Sequence, residues 1–195
     1  VNIFYLSKDP KECAEMHNDK HVVKMILESA QLLSTAHRIL DGVQVDGVSA
    51  SGRKKTVWKL SDYRDTNLYS ATHINHPSAV WVRLDARNYT WLHNLLQELC
   101  SEYTYRYGKV HKCQETGLVS MLGIVPRNLM KAFRPDIPCQ DPPCAMPDDC
   151  KVPGDAIQSY RNYYNKYKTH LATWNGKVNS RATPTWYNGV NNAVI

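Results

Sequence analysis

Apolar residues recur at helical spacing in two long stretches of the chain. In the first, PKECAEMHNDKHVVKMILESAQLLSTAHRIL, residues Val22, Val23, Ile26, Ala30 and Leu33 share one side, and Met25, Leu27 and Leu32 flank it. Asp9 before Pro10 marks a helix start: a side-chain acceptor, then a residue lacking the N–H that a first turn cannot use. Asp41-Gly42 is a stop. The pattern predicts a helix from Pro10 to about Leu40, with room for one break. In the second stretch, AVWVRLDARNYTWLHNLLQELCSEYTYRYG, the apolar positions are Val80, Leu84, Trp91, Leu92, Leu95, Leu96 and Leu99. It ends at Gly108, suited to a helix cap.

Weaker signals fill the rest. NIFYL at the start suits a strand or an extended arm, and residues 41–56, rich in Gly and Ser, an exposed loop or hairpin. Short helices are expected over 61–72 and 113–122. Six of the ten prolines lie in 134–153, which excludes regular structure there. A last helix over 154–174 leads into the polar tail NGKVNSRATPTWYNG. These elements describe a compact, mainly α, single-domain protein over 1–195, with a proline-rich excursion.

The first helix carries the unusual feature. At about 100° per residue, His17, His21, Lys24, Glu28, Gln31 and Thr35 stay within a sector of roughly 80°. A solvated face is wider and richer in Lys and Glu. This narrow stripe reads either as the exposed edge of an amphipathic helix or as the wall of a cleft. As a wall it is well stocked: imidazoles exchange protons near neutrality, an amine acts as base or nucleophile, and a carboxylate orients or moves a proton. His17 and His21 also have the spacing of a metal pair, with His73 or His76 available to join. The glutamate of HExxH is missing, so no metal is assigned.

A net charge of +6 adds an anionic partner to the picture, nucleic acid above all. From residue 152 onward five bases (Arg161, Lys166, Lys168, Lys177, Arg181) face the single acid Asp155, interleaved with aromatics that include Trp186 and Tyr187. HINHPSAVWVR brings His73, Asn75, His76 and Arg83 to a helix start, where free N–H groups favour phosphate. In YTYRYGKVHK, Arg106, Lys109 and Lys112 form a candidate backbone-contact set. Cys139, Cys144 and Cys150 are spaced C-x4-C-x5-C, looser than zinc knuckles, so reduced thiols are preferred to a zinc site. No apolar run reaches the roughly 18 residues needed to cross a bilayer, and VNIFYLSKDP lacks signal-peptide features. A cytoplasmic setting without membrane contact is expected.

Several longer blocks bear on identity: NIFYL, DKHVVKMILESAQLLSTAHR, HPSAVWVR, NYTWL, EYTYRYGKVHK, AMPDDCKVPGD, SYRNYY and PTWY. On these, nearly the whole chain resembles a group of phage-encoded proteins described as similar to the pyrimidine-dimer DNA glycosylase endonuclease V. The resemblance implies a helical domain with an extended N-terminal arm, working on duplex DNA in the host cytoplasm. It implies DNA repair by a glycosylase and AP lyase without cofactor. The N-terminal α-amine, here that of Val1, attacks the sugar C1′, and a first-helix glutamate assists. His17 matches the family's first-helix histidine. The family's Arg-Glu pair falls near Val23 and Lys24, and Glu28, one turn later, is the carboxylate on offer. The expected catalytic set is therefore Val1, His17, His21, Lys24 and Glu28. Alternatives from other classes are a non-catalytic nucleic-acid-binding protein and an enzyme of free nucleotides, with a metal-dependent nuclease behind them.

Overall fold

The computed structural model describes residues 1–48 and 51–189. Helix α1 spans Pro10–Met16 and α2 Asp19–Asp41; the hairpin strands are β1 (Val43–Val48) and β2 (Lys54–Lys59). Then come α3 (Arg64–Asn67), α4 (Pro77–Val82), α5 (Ala86–Tyr107), α6 (Lys112–Glu115), α7 (Leu118–Met121), α8 (Arg127–Lys131) and α9 (Ala156–Tyr167). The mainly α character expected from periodicity is present, with a two-stranded antiparallel sheet. No helix among the described residues is long and apolar enough to cross a membrane.

Two long helices, α2 and α5, pack together and form the centre of the core. Val22, Met25, Ile26, Leu32 and Leu33 of α2 and Leu92, Leu95, Leu96 and Leu99 of α5 are all buried. Each such side chain contributes about 1.5–3 kcal/mol by leaving water. Side chains then cut the predicted helices where their hydrogen bonds compete with the ladder. Asn18 accepts the N–H of His21 at 2.9 Å and restarts the helix, with His17 extended at ψ 136°. Asp85 accepts the N–H of Arg87 at 2.8 Å, so the second predicted helix is divided into α4 and α5. Gly108 caps α5 at φ 65° as its position suggested.

Other expectations need smaller corrections. The helix expected over 61–72 is one turn, α3, and that over 113–122 is split at Gly117 into α6 and α7. α8 carried no clear signal. The excursion 134–153 holds only the 3-10 turn Asp148–Cys150. In the region 41–56 the hairpin is the alternative present, β1 pairing with β2 so that Val43 is opposite Lys59 and Val48 opposite Lys54. NIFYL forms an arm rather than a strand, with Ile3, Phe4, Tyr5 and Leu6 all buried.

That arm sits in a pocket of aromatic rings. Phe4 adopts φ 55°, a left-handed backbone that costs a bulky residue about 1–3 kcal/mol. In exchange its ring meets His21 at 4.2 Å, Tyr164 at 5.5 Å and Tyr163 at 5.9 Å between centroids. Asn2 fixes the arm's tip. Its Nδ2 donates to the carbonyl of Ala145 at 2.8 Å, and its Oδ1 accepts the N–H of Ile3 at 2.8 Å. The Tyr160 hydroxyl of α9 lies 2.7 Å from the same Oδ1. The proline-rich excursion and the last helix thus hold the first residues in place.

Candidate active site at the amino terminus

The latch delivers the Val1 amine to α2. Glu28, half-buried, accepts the N–H of Asn2 on Oε2 at 3.2 Å, and the Val1 amine stands 4.0 Å from the same oxygen. At that distance the amine is ion-paired but outside hydrogen-bond reach. Glu28 Oε1 receives Lys24 Nζ at 3.2 Å, and the Lys24 side chain is 65% exposed. One carboxylate therefore lies between two amines, one fixed by the fold and one reaching in from solvent.

Beside them runs the turn before α4. His76 caps α4, its Nδ1 accepting the N–H of Ser78 at 3.2 Å, so the proton of the neutral ring sits on Nε2. Burial holds His76 below the ordinary imidazole range; the Val1 ammonium and His73 push the same way, and Glu28 opposes them. Thr72 N–H donates to the Thr35 hydroxyl at 3.2 Å, which ties this turn to α2. His73, exposed at φ 49°, has Nδ1 2.8 Å from the Thr72 hydroxyl, and Asn75 is exposed. Val1, Lys24, Glu28, His73 and His76, drawn from both predicted sets, are thereby brought to one neighbourhood.

The two remaining members of the expected catalytic set lie elsewhere. His17 is off the stripe because the chain breaks after it; its ring is fully buried and its Nδ1–H donates to the carbonyl of Cys13 at 2.6 Å. Burial pushes it down to about 4. His21 Nδ1 lies 2.6 Å from the Tyr164 hydroxyl, and burial, with His17 and Lys168 adding to it, pushes it down to about 2. Both are neutral at pH 7, and both pack the arm. Their expected role as proton carriers is corrected to a structural one. The same contacts remove them from a metal pair, and no group of three His, Cys, Asp or Glu among the described residues is placed to hold a metal. All six cysteines are free thiols.

Of the expected phosphate contacts, Lys109 and Lys112 are exposed and Arg83 is half-buried, donating to the carbonyl of Ala79 at 3.0 Å. Arg106 is a correction. It is 0% exposed and donates to Asp19 at 2.9 Å, Glu102 at 2.6 Å and the carbonyl of Glu15 at 2.9 Å. A buried cation with two carboxylates holds the fold and cannot reach a phosphate. Arg181 joins it, donating to Glu102 at 2.9 Å and stacking 4.1 Å over Tyr105. Trp186 packs on Tyr164 at 5.8 Å, and buried Tyr187 on Trp174 at 5.1 Å. These three fasten the C-terminal tail and offer no open stacking platform. The reasoning from sequence missed Asn2 and Thr72, and the bond from Tyr160 to Asn2, because the partners lie far along the chain.

A separate concavity of about 500 Å³, lined by Arg87, Trp91, Asn94, Met130 and Phe133 among others, shares no residue with this set. It offers no amine or carboxylate, so the chemistry points to the amino terminus. Comparison of the chain with protein-family models, curated proteins and solved structures finds no match.

Proposed function

We propose that the protein is a DNA-processing enzyme of the endonuclease V-like type, an imine-forming lyase acting at damaged or abasic sites in duplex DNA. The observation that supports this reading best is the fixed Val1 amine, ion-paired with Glu28 yet free of a hydrogen bond to it. The arm holds Val1 in place beside Glu28, whereas the Lys24 side chain is 65% exposed, so Val1 is the preferred nucleophile over Lys24.

The chemistry follows from the pair. The amine lone pair attacks C1′ of the ring-opened deoxyribose, forming a C–N bond. Water leaves the carbinolamine and an iminium results. Glu28 takes the C2′ proton, and the electron pair of the resulting enamine expels the 3′ phosphate by breaking the C3′–O bond. Water then hydrolyses the imine and frees the amine. Lys24 and neutral His76, with Nε2–H to donate, are the proton donors near Glu28 for the departing hydroxyl and phosphate oxygen atoms. The net positive charge favours a DNA partner over a free nucleotide, because a single nucleotide needs no extended cationic surface.

The test is incubation with duplex DNA containing one abasic site in the presence of borohydride, followed by mass mapping of the adduct. An adduct on Val1 is expected. Placing one glycine ahead of Val1 moves the amine by about 3.8 Å and should abolish it. Duplex binding without any adduct would assign the protein to the non-catalytic, DNA-binding class.

A further inference from the structure

The hairpin is the feature that this chemistry leaves unused. It stands out from the helical body, with no β1 or β2 residue fully buried. Lys54, Lys55 and Lys59 are exposed, and no carboxylate among the described residues lies within ion-pair distance of their ammonium groups. Val43 and Val48 are exposed as well. A two-stranded ribbon with no buried residue, carrying three cations and two exposed valines, offers an anionic partner both charge and apolar contact.

The ribbon's root is rigid. Arg38 Nη1 donates to the carbonyl of Trp58 at 2.8 Å, and Asp65 accepts the N–H of Leu60 at 2.9 Å. The root also lies on the active-site face of α2. Lys24, Glu28, Gln31, Thr35 and Arg38 recur at alternating steps of four and three residues, which is one line along a helix. Residues 69–76 run beside that line, bonded to Arg38 through the Tyr69 carbonyl and to Thr35 through Thr72, and end at His76 near Val1 and Glu28. Glu28 and Arg38 are ten residues apart, about 15 Å of helix. That is the length of about four to five base pairs, with one phosphate per strand every 3.4 Å.

We propose that the β1–β2 ribbon is a DNA arm that enters the major groove of the duplex four to five base pairs from the reacting sugar. Lys54, Lys55 and Lys59 contact phosphates along its walls. This rests on the reading of Val1 and Glu28 as a DNA-acting site. The dimensions agree: six paired positions give a ribbon about 20 Å long with strands about 4.8 Å apart. A major groove of about 12 Å has room for such a two-stranded ribbon with its side chains. The exposed valines suit apolar contact with thymine methyl groups.

Lysines on ribbon edges also guard against edge-to-edge pairing, and the test separates the two roles. The full-length protein and a Lys54→Gln, Lys55→Gln, Lys59→Gln variant are titrated with a 30-base-pair duplex bearing one abasic site, at several salt concentrations. The slope of log K against log salt should fall in magnitude by about 2.7, at 0.9 per phosphate lost, and affinity at low salt by about tenfold or more. An unchanged thermal midpoint shows that the fold is intact. An unchanged slope overturns the proposal, as does concentration-dependent association of the variant with duplex affinity preserved, which assigns the lysines to edge protection. The borohydride adduct of the unaltered protein reads the amine site separately. A slope change without any adduct supports the arm and refutes the imine reading; an adduct without a slope change does the reverse.

Discussion

The two ends of α2 hold similar residues in opposite states. At the C-terminal end Arg38 uses all five of its N–H groups, on Asp65 and on the carbonyls of Trp58, Asp65, Leu68 and Tyr69. Next to it His37 is locked. Arg64 can only donate, so it fixes Nδ1 as an acceptor at 2.9 Å, and Nε2–H goes to the Tyr89 hydroxyl at 2.9 Å. Tyr89 in turn donates to the carbonyl of Leu122 at 2.8 Å. At the N-terminal half, Glu28 accepts one N–H, that of Asn2 at 3.2 Å, and has an amine at 4.0 Å and a lysine that is mostly in water. A saturated, buried network resists change and builds the fold. An unsaturated one at the surface has protons and lone pairs to exchange, and that contrast marks the site more sharply than residue type does.

The saturated end should break hardest. Arg38→Ala removes five hydrogen bonds and leaves four carbonyls and the Asp65 carboxylate short of a donor. The ion pair is only part-buried, with Asp65 31% exposed, but each buried acceptor left without its donor costs about 1–3 kcal/mol, so a total of about 3–5 kcal/mol is expected. Urea unfolding should show a loss of that size, and a loss below about 1 kcal/mol would mean that the hairpin root is held by something else.

At the unsaturated end the largest effect is on rate. Glu28→Gln keeps the shape and the acceptor for Asn2 N–H but cannot take a proton. Single-turnover strand cleavage at an abasic site should slow by about a hundredfold or more, equivalent to at least about 2.7 kcal/mol in the barrier. Folding stability should move by under about 1 kcal/mol. A large stability loss with cleavage unaffected would invert the comparison and make Glu28 a structural residue.

These two ends were not equally legible in the sequence. Local chemistry showed through: Asp9-Pro10 starts a helix, Gly108 ends one, and the stripe through Lys24, Glu28, Gln31 and Thr35 is real. What failed depended on distant partners. Arg106 looked like a surface cation because its acceptor Asp19 is 87 residues away, and Asn2 gave no signal because Ala145 is 143 residues away. His17 left the stripe through one competing cap, Asn18, a residue that a helical period passes over. Periodicity assigns faces; it does not say which face another part of the chain will cover.

Histidines sharpen the contrast through pH. His17, His21 and His37 are all held below the ordinary value near 6.5, His17 and His37 at about 4 and His21 at about 2, with burial as the first cause. The unfolded chain therefore binds more protons than the native protein as pH falls below 6.5. Stability is full above that value and declines on acidification toward 4. Each histidine contributes up to about 1.4 kcal/mol per pH unit in this window. Urea midpoints at pH 7, 6 and 5 should fall in order, and His37→Gln should flatten the slope by one histidine's share. Equal midpoints at pH 7 and 5 would show that these rings are protonated without cost.

Lys24→Gln should have the smallest effect on stability and the most informative one on mechanism. The Lys24–Glu28 pair is an i,i+4 contact in the less favourable order, with the lysine on the N-terminal side and its ammonium end mostly in water. Such pairs contribute about 0.3–0.5 kcal/mol, so unfolding should shift by no more than that. Glu28 would still have the Asn2 N–H and the Val1 amine as neighbours. If the fixed amine is the nucleophile, the borohydride adduct of Lys24→Gln still maps to Val1 and forms at a rate within about threefold of the unaltered protein. Loss of the adduct would move the chemistry to the solvent-facing lysine, and the latch through Asn2 would then hold the carboxylate rather than the nucleophile.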